Sequence, residues 1–344
     1  MRHLSASILC LLLSGSLQAT QSNTPSQAYN WTAGPDLPMA LQEVYPAVFN
    51  ERIFVGGGFT PSDSPSFSGL GPSTDVFLLN PAKEFWTKAP SLPAPRHHLG
   101  MVSNRHFIYG IGGFTGAKGS AWEIQSSVFR LDGNLQVWRT GPSLPIPLAE
   151  SVYANVGKNI HVIGGKTVSR ETGKNVDTDA HYVLINNSYW RKLKSASLVR
   201  NSAASAVIGH KIYVIGGRTS GQDGANLSYA EVYDTKAETW TPIAPLPVAS
   251  GGLSASVLDG KIIVSGGEVF GPKGNWQAGK AFDEVWAYDP QTNRWQALPD
   301  LPQPRHGHGS VSLNEQLHII GGAAKVGPQE TLSSTQVLTP NVDP

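Results

Sequence analysis

Side chains that could bind a ligand or transfer a proton occur at a small set of turn positions in this sequence. Arginine can form paired hydrogen bonds with a carboxylate, and glutamate beside histidine can exchange a proton near neutral pH. Only 15% of the 344 residues are charged, so charged residues gathered in these turns indicate a site for a polar, anionic or sugar-like ligand. The candidate ligand-binding residues are Arg96, His98, Glu150, Arg200, Arg218, Arg305, His306 and Trp276, and the candidate catalytic base is Glu268.

Each candidate also has a structural interpretation, and the sequence leaves both open. Arg96 and Arg305 could tie neighbouring loops together instead of binding a ligand. Glu268 could form an internal ion pair, and Trp276 could pack within its loop instead of stacking on a sugar ring. The sequence therefore predicts the region that binds a ligand, and each candidate residue in it has both a binding and a structural interpretation.

The composition excludes several kinds of chemistry. The single cysteine, Cys10, lies in the first apolar segment, so the remainder of the chain has no disulfide, catalytic thiol or cysteine-bound zinc. The histidine pairs His97-His98 and His306/His308 have no assured carboxylate partner, so we predict no metal and no cofactor. The formal net charge of +1 and the lack of a basic arm argue against nucleic acid as a partner.

The first residues have the pattern of an export signal. Arg2 is followed by a short apolar run from Ile8 to Leu13 and then by small and polar residues up to Ala19. We predict a signal peptide over residues 1–19, a mature chain that begins near Thr20, and a polar linker over 20–30. The apolar run is too short to span a bilayer, so after signal removal no integral membrane segment is expected, and the location is periplasmic or extracellular.

Two markers recur along the rest of the chain at intervals of about fifty residues, which indicates a structural repeat. Each glycine pair follows a run of β-branched or aromatic residues, as expected for a buried strand. The glycine pairs are Gly57-Gly58, Gly112-Gly113, Gly164-Gly165, Gly216-Gly217, Gly266-Gly267 and Gly321-Gly322. The tryptophans in step with them are Trp31, Trp86, Trp138, Trp190, Trp240 and Trp295.

This double ladder resembles the kelch repeat over residues 31–340. The resemblance implies an all-β, six-bladed propeller in which each blade is a four-stranded antiparallel sheet. Because the first tryptophan strand has no glycine-pair strand before it, it should complete the last blade beside Thr335 to Thr339. The blade-joining loops and the loops after the glycine pairs should then meet at one mouth of the central channel, where a site is expected.

Three functions are consistent with the resemblance. The first is an exported, monomeric binding module that recognises a glycan or a protein partner through the mouth loops. The second is a sugar mutarotase or epimerase, because the Gly266-Gly267-Glu268 segment and the loop from Asn275 to Lys280 more distantly resemble the bacterial sialic acid mutarotases. The third, a copper oxidase similar to galactose oxidase, is excluded because the mature chain would have no cysteine to crosslink to tyrosine.

Overall fold

A computed structural model describes residues 29–221 and 224–341, which form a six-bladed β-propeller of four-stranded antiparallel sheets, as predicted. The predicted signal peptide and most of the linker lie outside the described residues. Within the described ranges, no helix is long and apolar enough to cross a membrane.

The four strands of each blade follow one another outward from the channel. The innermost strands contact one another around the ring and are Ala47–Phe49, Gly100–Ser103, Val152–Val156, Ala204–Ile208, Ser254–Leu258 and Gly309–Leu313. The second strands are Arg52–Gly56, Phe107–Ile111, Asn159–Ile163, Lys211–Ile215, Lys261–Ser265 and Gln316–Ile320. The third strands are Val76–Asn80, Val128–Asp132, His181–Ile185, Ala230–Asp234, Val285–Asp289 and Thr335–Pro340. The outer strands of blades 1 to 6 are Phe85–Ala89, Arg139–Thr140, Tyr189–Lys192, Thr239–Pro242, Arg294–Leu298 and Tyr29–Ala33.

Four blades carry an additional two-stranded hairpin after the glycine pair. These hairpins are Phe59–Pro61 with Leu70–Pro72 in blade 1, Phe114–Thr115 with Glu123–Ile124 in blade 2, Lys166–Val168 with Asn175–Asp177 in blade 3, and Glu268–Gly271 with Asn275–Ala281 in blade 5. Two short 3₁₀ turns, Pro81–Lys83 and Pro272–Gly274, complete the regular elements.

The ring is closed by the N-terminal strand, as the sequence predicted. Tyr29–Ala33 pairs antiparallel with Thr335–Pro340, and Trp31 lies opposite Leu338. The strand therefore begins two residues before the start expected for the propeller, inside the segment assigned to the linker. Closure matters because it pairs strand edges that would otherwise be open to association with other chains.

The six tryptophans pack between blades and make the same hydrogen bond. Each indole N–H donates to a backbone carbonyl of the preceding blade, at distances of 2.8 to 3.1 Å. Trp138 belongs to the same buried apolar cluster as Phe49 and Phe54 of blade 1, and Trp31 of blade 6 donates to the Pro299 carbonyl of blade 5. The N-terminal strand, which completes blade 6, therefore makes the same tryptophan contact with its neighbouring blade as the outer strands of the other blades.

The first glycine of each pair lies where neighbouring blades approach most closely. At Gly112, φ is 59°, and an added Cβ would lie 2.1 Å from the carbonyl oxygen of Leu148 in the next blade-joining loop. The next residue, Gly113, donates its N–H to the same carbonyl at 3.0 Å. Glycine is needed here because both the backbone conformation and the close contact exclude a side chain.

Candidate functional site

The turn that enters each innermost strand has one residue in the left-handed conformation. We call these six residues the mouth ring, and they are Glu43, His98, Glu150, Ser202, Gly252 and Gly307, with φ between 50° and 68°. Backbone hydrogen bonds join successive members: for example, Ser202 accepts from Gly252 at 2.9 Å, and Gly252 accepts from Gly307 at 2.8 Å. The mouth ring therefore surrounds one end of the central channel.

Four mouth-ring positions keep a side chain where glycine would be least strained. Glutamate, histidine and serine in the left-handed region are uncommon, and strained backbone of this kind clusters at functional sites. At Gly307, by contrast, an added Cβ would lie 2.6 Å from a carboxylate oxygen of Glu43. The glycine thus leaves room for the Glu43 side chain, and the ring as a whole displays polar groups at the mouth.

Glu43 is the end of a hydrogen-bonded chain that fixes the protonation of His98. Buried His97 donates from Nε2 to the Ala121 carbonyl at 2.7 Å, so its Nδ1 accepts from His98 Nδ1, also at 2.7 Å. His98 Nε2 then lies 3.0 Å from a Glu43 carboxylate oxygen. Only a doubly protonated His98 donates in both directions, so the chain ends in an imidazolium–carboxylate pair.

The electrostatics agree with this assignment. Burial lowers the pKa of His98, but the charge and the hydrogen bond of Glu43, together with the charge of Glu150, outweigh burial and raise it above its usual value. Burial alone would raise the pKa of Glu43, whereas His98, His306 and Arg218 hold it well below its usual range. For His97, burial and then the charge of His98 lower the pKa well below normal, which keeps that ring neutral.

A second ion pair lies beside this chain. Arg218 Nη1 donates to Glu268 Oε1 at 2.8 Å, and Glu268 Oε2 accepts the N–H of Gly327 at 2.9 Å. His306 donates from Nε2 to the Lys325 carbonyl at 2.9 Å, and its Nδ1 is 3.7 Å from Glu43. Both oxygens of Glu268 are therefore engaged and the side chain is buried, an arrangement closer to an internal ion pair than to a free general base.

Glu150 completes the group of charged residues at the mouth. Its Oε2 accepts from the Ser202 hydroxyl at 2.9 Å, and Ser202 lies 3.5 Å from Arg218 Nη2. Five of the sequence-predicted residues are thus brought together around Glu43 and Ser202: His98, Glu150, Arg218, Glu268 and His306. Glu43 and Ser202 themselves were missed, although aligning the six repeats would have put them at the position that His98 and Glu150 occupy.

Three predicted arginines point elsewhere. Arg200 Nη1 donates to the carbonyls of Gly216 and Tyr229, and its Nη2 pairs with buried Glu231. Arg305 makes the equivalent bonds to Gly321 and Ser334, and Arg96 donates to Pro95 and Ser127. All three are buried. Arg200 and Arg305 tie their loop to a glycine pair, and Arg96 ties its loop to Ser127, whose carbonyl accepts the N–H of Gly112. This is the loop-tying interpretation, and no free guanidinium remains there for a carboxylate ligand.

Aromatic side chains from three hairpin loops meet beside these charges. Phe67 lies with its ring centre 5.3 Å from that of Trp122 and 5.9 Å from that of Trp276. Trp276 is half-buried and packs on Gly327, where an added Cβ would be 2.3 Å from the indole. Trp122 is 38% exposed. Packing therefore accounts for much of Trp276, whereas Trp122 keeps an exposed face.

The channel below the mouth ring contains a cavity of about 100 Å³ with a mixed polar and apolar lining. Its wall includes Glu43, Tyr45, Tyr153 and His308. The two tyrosine rings meet edge to face at 5.6 Å. In the described part of the chain, no group of three or more His, Cys, Asp or Glu side chains is arranged to hold a metal ion.

Comparison with known proteins identifies the family. Residues 150–341 match the profile described as the KLHDC2/KLHL20/DRC7 Kelch-repeats domain, and the chain belongs to the kelch-repeat family. It is 25% identical to Kelch-like protein terF of Aspergillus terreus over 92% of this chain and 70% of that protein. It is 23% identical to Kelch-like protein 38 of Mus musculus over 88% of this chain, and spans about half of that protein's length (49%).

Among solved structures, the fold is similar to that reported as the structure of YjhT. The TM-score is 0.72 at 17% identity, over 88% of this chain and 95% of that one. At this identity the likeness concerns the fold. Kelch propellers generally bind protein partners.

Proposed function

We propose that this protein is an exported binding module that recognises a protein or glycan partner at the mouth ring. The observation that carries the proposal is the ring itself, which keeps Glu43, His98 and Glu150 in strained backbone at the channel mouth. Strand residues are committed to packing between blades, whereas the loops around the mouth carry polar groups and the exposed face of Trp122. Kelch propellers generally bind protein partners, which supports the same role.

Gly252 offers a direct test because it leaves a gap in the mouth ring. An added Cβ there would meet nothing closer than 3.6 Å, and Arg218 and His306 would be 3.7 Å away. Asparagine tolerates the left-handed conformation, so Gly252→Asn should obstruct the mouth while the fold is kept. Gly260→Asn is the matched control, because Gly260 has φ of 70° and open surroundings in the turn after the same strand.

The assay is binding of the purified protein to a glycan array and to a displayed peptide library. Ligands of the wild type should be lost by Gly252→Asn and kept by Gly260→Asn. Equal binding by both variants would place the binding surface away from the mouth and refute the proposal.

A second candidate, interconversion of sugar anomers, is favoured by the imidazolium–carboxylate pair of His98 and Glu43. Ring opening needs an acid and a base close together, and this pair offers both. Arg218 is the arginine at the mouth, and Glu268 is the base that the sequence predicts; because these two residues pair with each other, a sugar carboxylate would have to compete with Glu268 for Arg218. NMR of a freshly dissolved single anomer of N-acetylneuraminic acid tests it: the wild type should speed equilibration, and Glu43→Gln or Glu268→Gln should not. No acceleration by the wild type excludes this candidate.

A further inference from the structure

Among the described residues of the mouth, one carboxylate has no ion pair of its own. His98 pairs with Glu43 at 3.0 Å, Arg218 pairs with Glu268 at 2.8 Å, and Lys166 lies 3.4 Å from Asp177. Glu150 accepts a hydrogen bond from Ser202 but has no cationic group within ion-pair distance. It is only 6% exposed and its φ is 51°. His98 and Arg218 act on Glu150 from beyond ion-pair distance, and each already pairs with a nearer carboxylate. The charge of Glu150 is therefore only partly compensated, which favours a ligand that brings a positive charge.

Glu150 acts on the same space as Glu43. Burial, then Tyr153, and then the charges of Glu43 and Glu150 raise the pKa of Tyr45 well above its usual value. Tyr45 lines the cavity together with Glu43. Arg218 opposes the effect of the two carboxylates on Tyr45. Glu150 does not line the cavity, but its neighbours Ser151 and Ser202 do, so a cation at the mouth would lie near both carboxylates.

The cavity wall also has an unused polar atom. His308 is 3% exposed, and its Nε2 lies 2.9 Å from the Ser254 hydroxyl, whereas its Nδ1 has no partner. Buried polar atoms are nearly always hydrogen-bonded, so this unpaired nitrogen on a cavity-lining residue has a hydrogen bond left for a ligand or for water.

The size of the cavity restricts what enters it. Sites for whole small molecules commonly measure ~300–1,000 Å³, whereas this cavity measures about 100 Å³. It has space for the end of one side chain. The edge-to-face rings of Tyr45 and Tyr153 offer an apolar and π-rich wall to an aliphatic stem and its cation.

We propose that the mouth takes a protruding arginine or lysine side chain of a protein partner, with its charged group at Glu43 and Glu150. This inference rests on the proposed function and names the chemistry that the site selects. A carboxylate is disfavoured at the same place because the guanidinium groups of Arg96, Arg200 and Arg305 are hydrogen-bonded within the protein, and Arg218 already pairs with Glu268.

The test compares blocked pentapeptides with arginine, lysine or citrulline between glycines, titrated into ¹⁵N-labelled protein. Citrulline has the shape of arginine without its charge. The arginine and lysine peptides should shift the amides of Gly252 and Gly307. The citrulline peptide should bind on the order of tenfold more weakly, as expected for the loss of one charge-assisted hydrogen bond. Equal binding of all three peptides, or no binding of the arginine peptide, overturns the inference.

A matched pair of variants assigns the effect to Glu150. Glu150→Gln keeps an oxygen that can accept the Ser202 hydrogen bond. It should weaken binding of the arginine peptide by ~3- to 10-fold, because one partly buried charge is lost. Glu315→Gln is the control, because Glu315 also has positive φ (59°) but is exposed in the turn between the first two strands of blade 6. Equal effects of the two variants would refute a local role for Glu150.

The failures of the two proposals are distinguishable. If Gly252→Asn abolishes binding of partners while charge in the peptide makes no difference, the binding function stands and the basic-side-chain inference fails. If Gly252→Asn and Gly260→Asn bind alike, the mouth is not the binding site and both fail.

Discussion

Replacing His318 with leucine should make the propeller more resistant to acid. His318 lies in the second strand of blade 6, is 4% exposed, and has no hydrogen-bond partner at Nδ1 or Nε2. Burial lowers its pKa to about 4. The folded state therefore keeps His318 neutral at a pH where the unfolded chain, with a histidine pKa of about 6.5, binds a proton.

The sign and size of the effect follow from this difference in proton binding. Above pH ~6.5 the ring is neutral in both states, so it contributes no pH dependence. As the pH falls from ~6.5 towards 4, the unfolded state gains a proton that the folded state lacks, and stability is lost at about 1.4 kcal/mol per pH unit. At pH 5 the loss from this one histidine is about 2 kcal/mol.

Other buried histidines add to the same trend. His161 and His181 contact each other through Nδ1 and Nε2 at 2.9 Å. Burial and the charge of Arg191 lower the pKa of His161 to about 4, and burial and His161 lower that of His181 to about 3. His98 works in the opposite direction, because its pKa is raised and its stabilising contribution is present at lower pH. We therefore expect the free energy of unfolding of the wild type to decrease as the pH drops below ~6.5. The decrease should be larger than the one that His318 alone would cause.

The assay is urea unfolding followed by circular dichroism at pH 8 and pH 5. His318→Leu should change the free energy of unfolding little at pH 8 and should exceed the wild type by about 2 kcal/mol more at pH 5. His106→Gln is the control, because His106 is exposed and should give the same difference at both values. A His318→Leu effect that is equal at pH 8 and pH 5 would refute the reasoning.

Three further predictions concern the fold and the processing of the chain. Gly112→Ala forces a Cβ to 2.1 Å from the Leu148 carbonyl oxygen and should clearly lower the free energy of unfolding. Gly157→Ala is the control and should lower it less, because Gly157 has a similar φ and open space around it. Equal losses in urea unfolding would contradict the close-contact argument. Deleting residues 20–36 removes the strand that closes blade 6 and should lower the melting temperature of the whole ring; unchanged melting by calorimetry would show that the seam is not needed. N-terminal sequencing of protein recovered outside the cytoplasm should begin near Thr20, and reducing agents should leave its melting temperature unchanged; an intact Met1 on that material would exclude cleavage.

The blade pattern could be predicted from sequence because it depends on local and repeated requirements. Strand-forming runs, glycine pairs that accept positive φ, and tryptophans between blades recur in the same order. The sequence also predicted which strand closes the ring, because the first tryptophan strand had no glycine-pair strand before it and so had to complete the last blade. The pairing of Trp31 with Leu338 confirmed that inference over a separation of 307 residues.

The site depended on contacts that no repeat unit contains. Arg305 and Arg218 both lie in loops predicted to form the mouth, yet Arg305 donates to the Gly321 carbonyl within blade 6, whereas Arg218 reaches Glu268 of the next blade. Aligning the repeats puts Glu43 at the same position as His98, but the role of Glu43 appears only where it meets His98 and the space left by Gly307. The sequence by itself determined the number of blades, their order and their closure, because these follow from each repeat's own hydrogen bonding and apolar pattern. Only the tertiary structure decided which polar side chains share the mouth. That depends on the sign of φ at six turns and on the distances between loops of different blades, which are fixed only when the whole ring is closed.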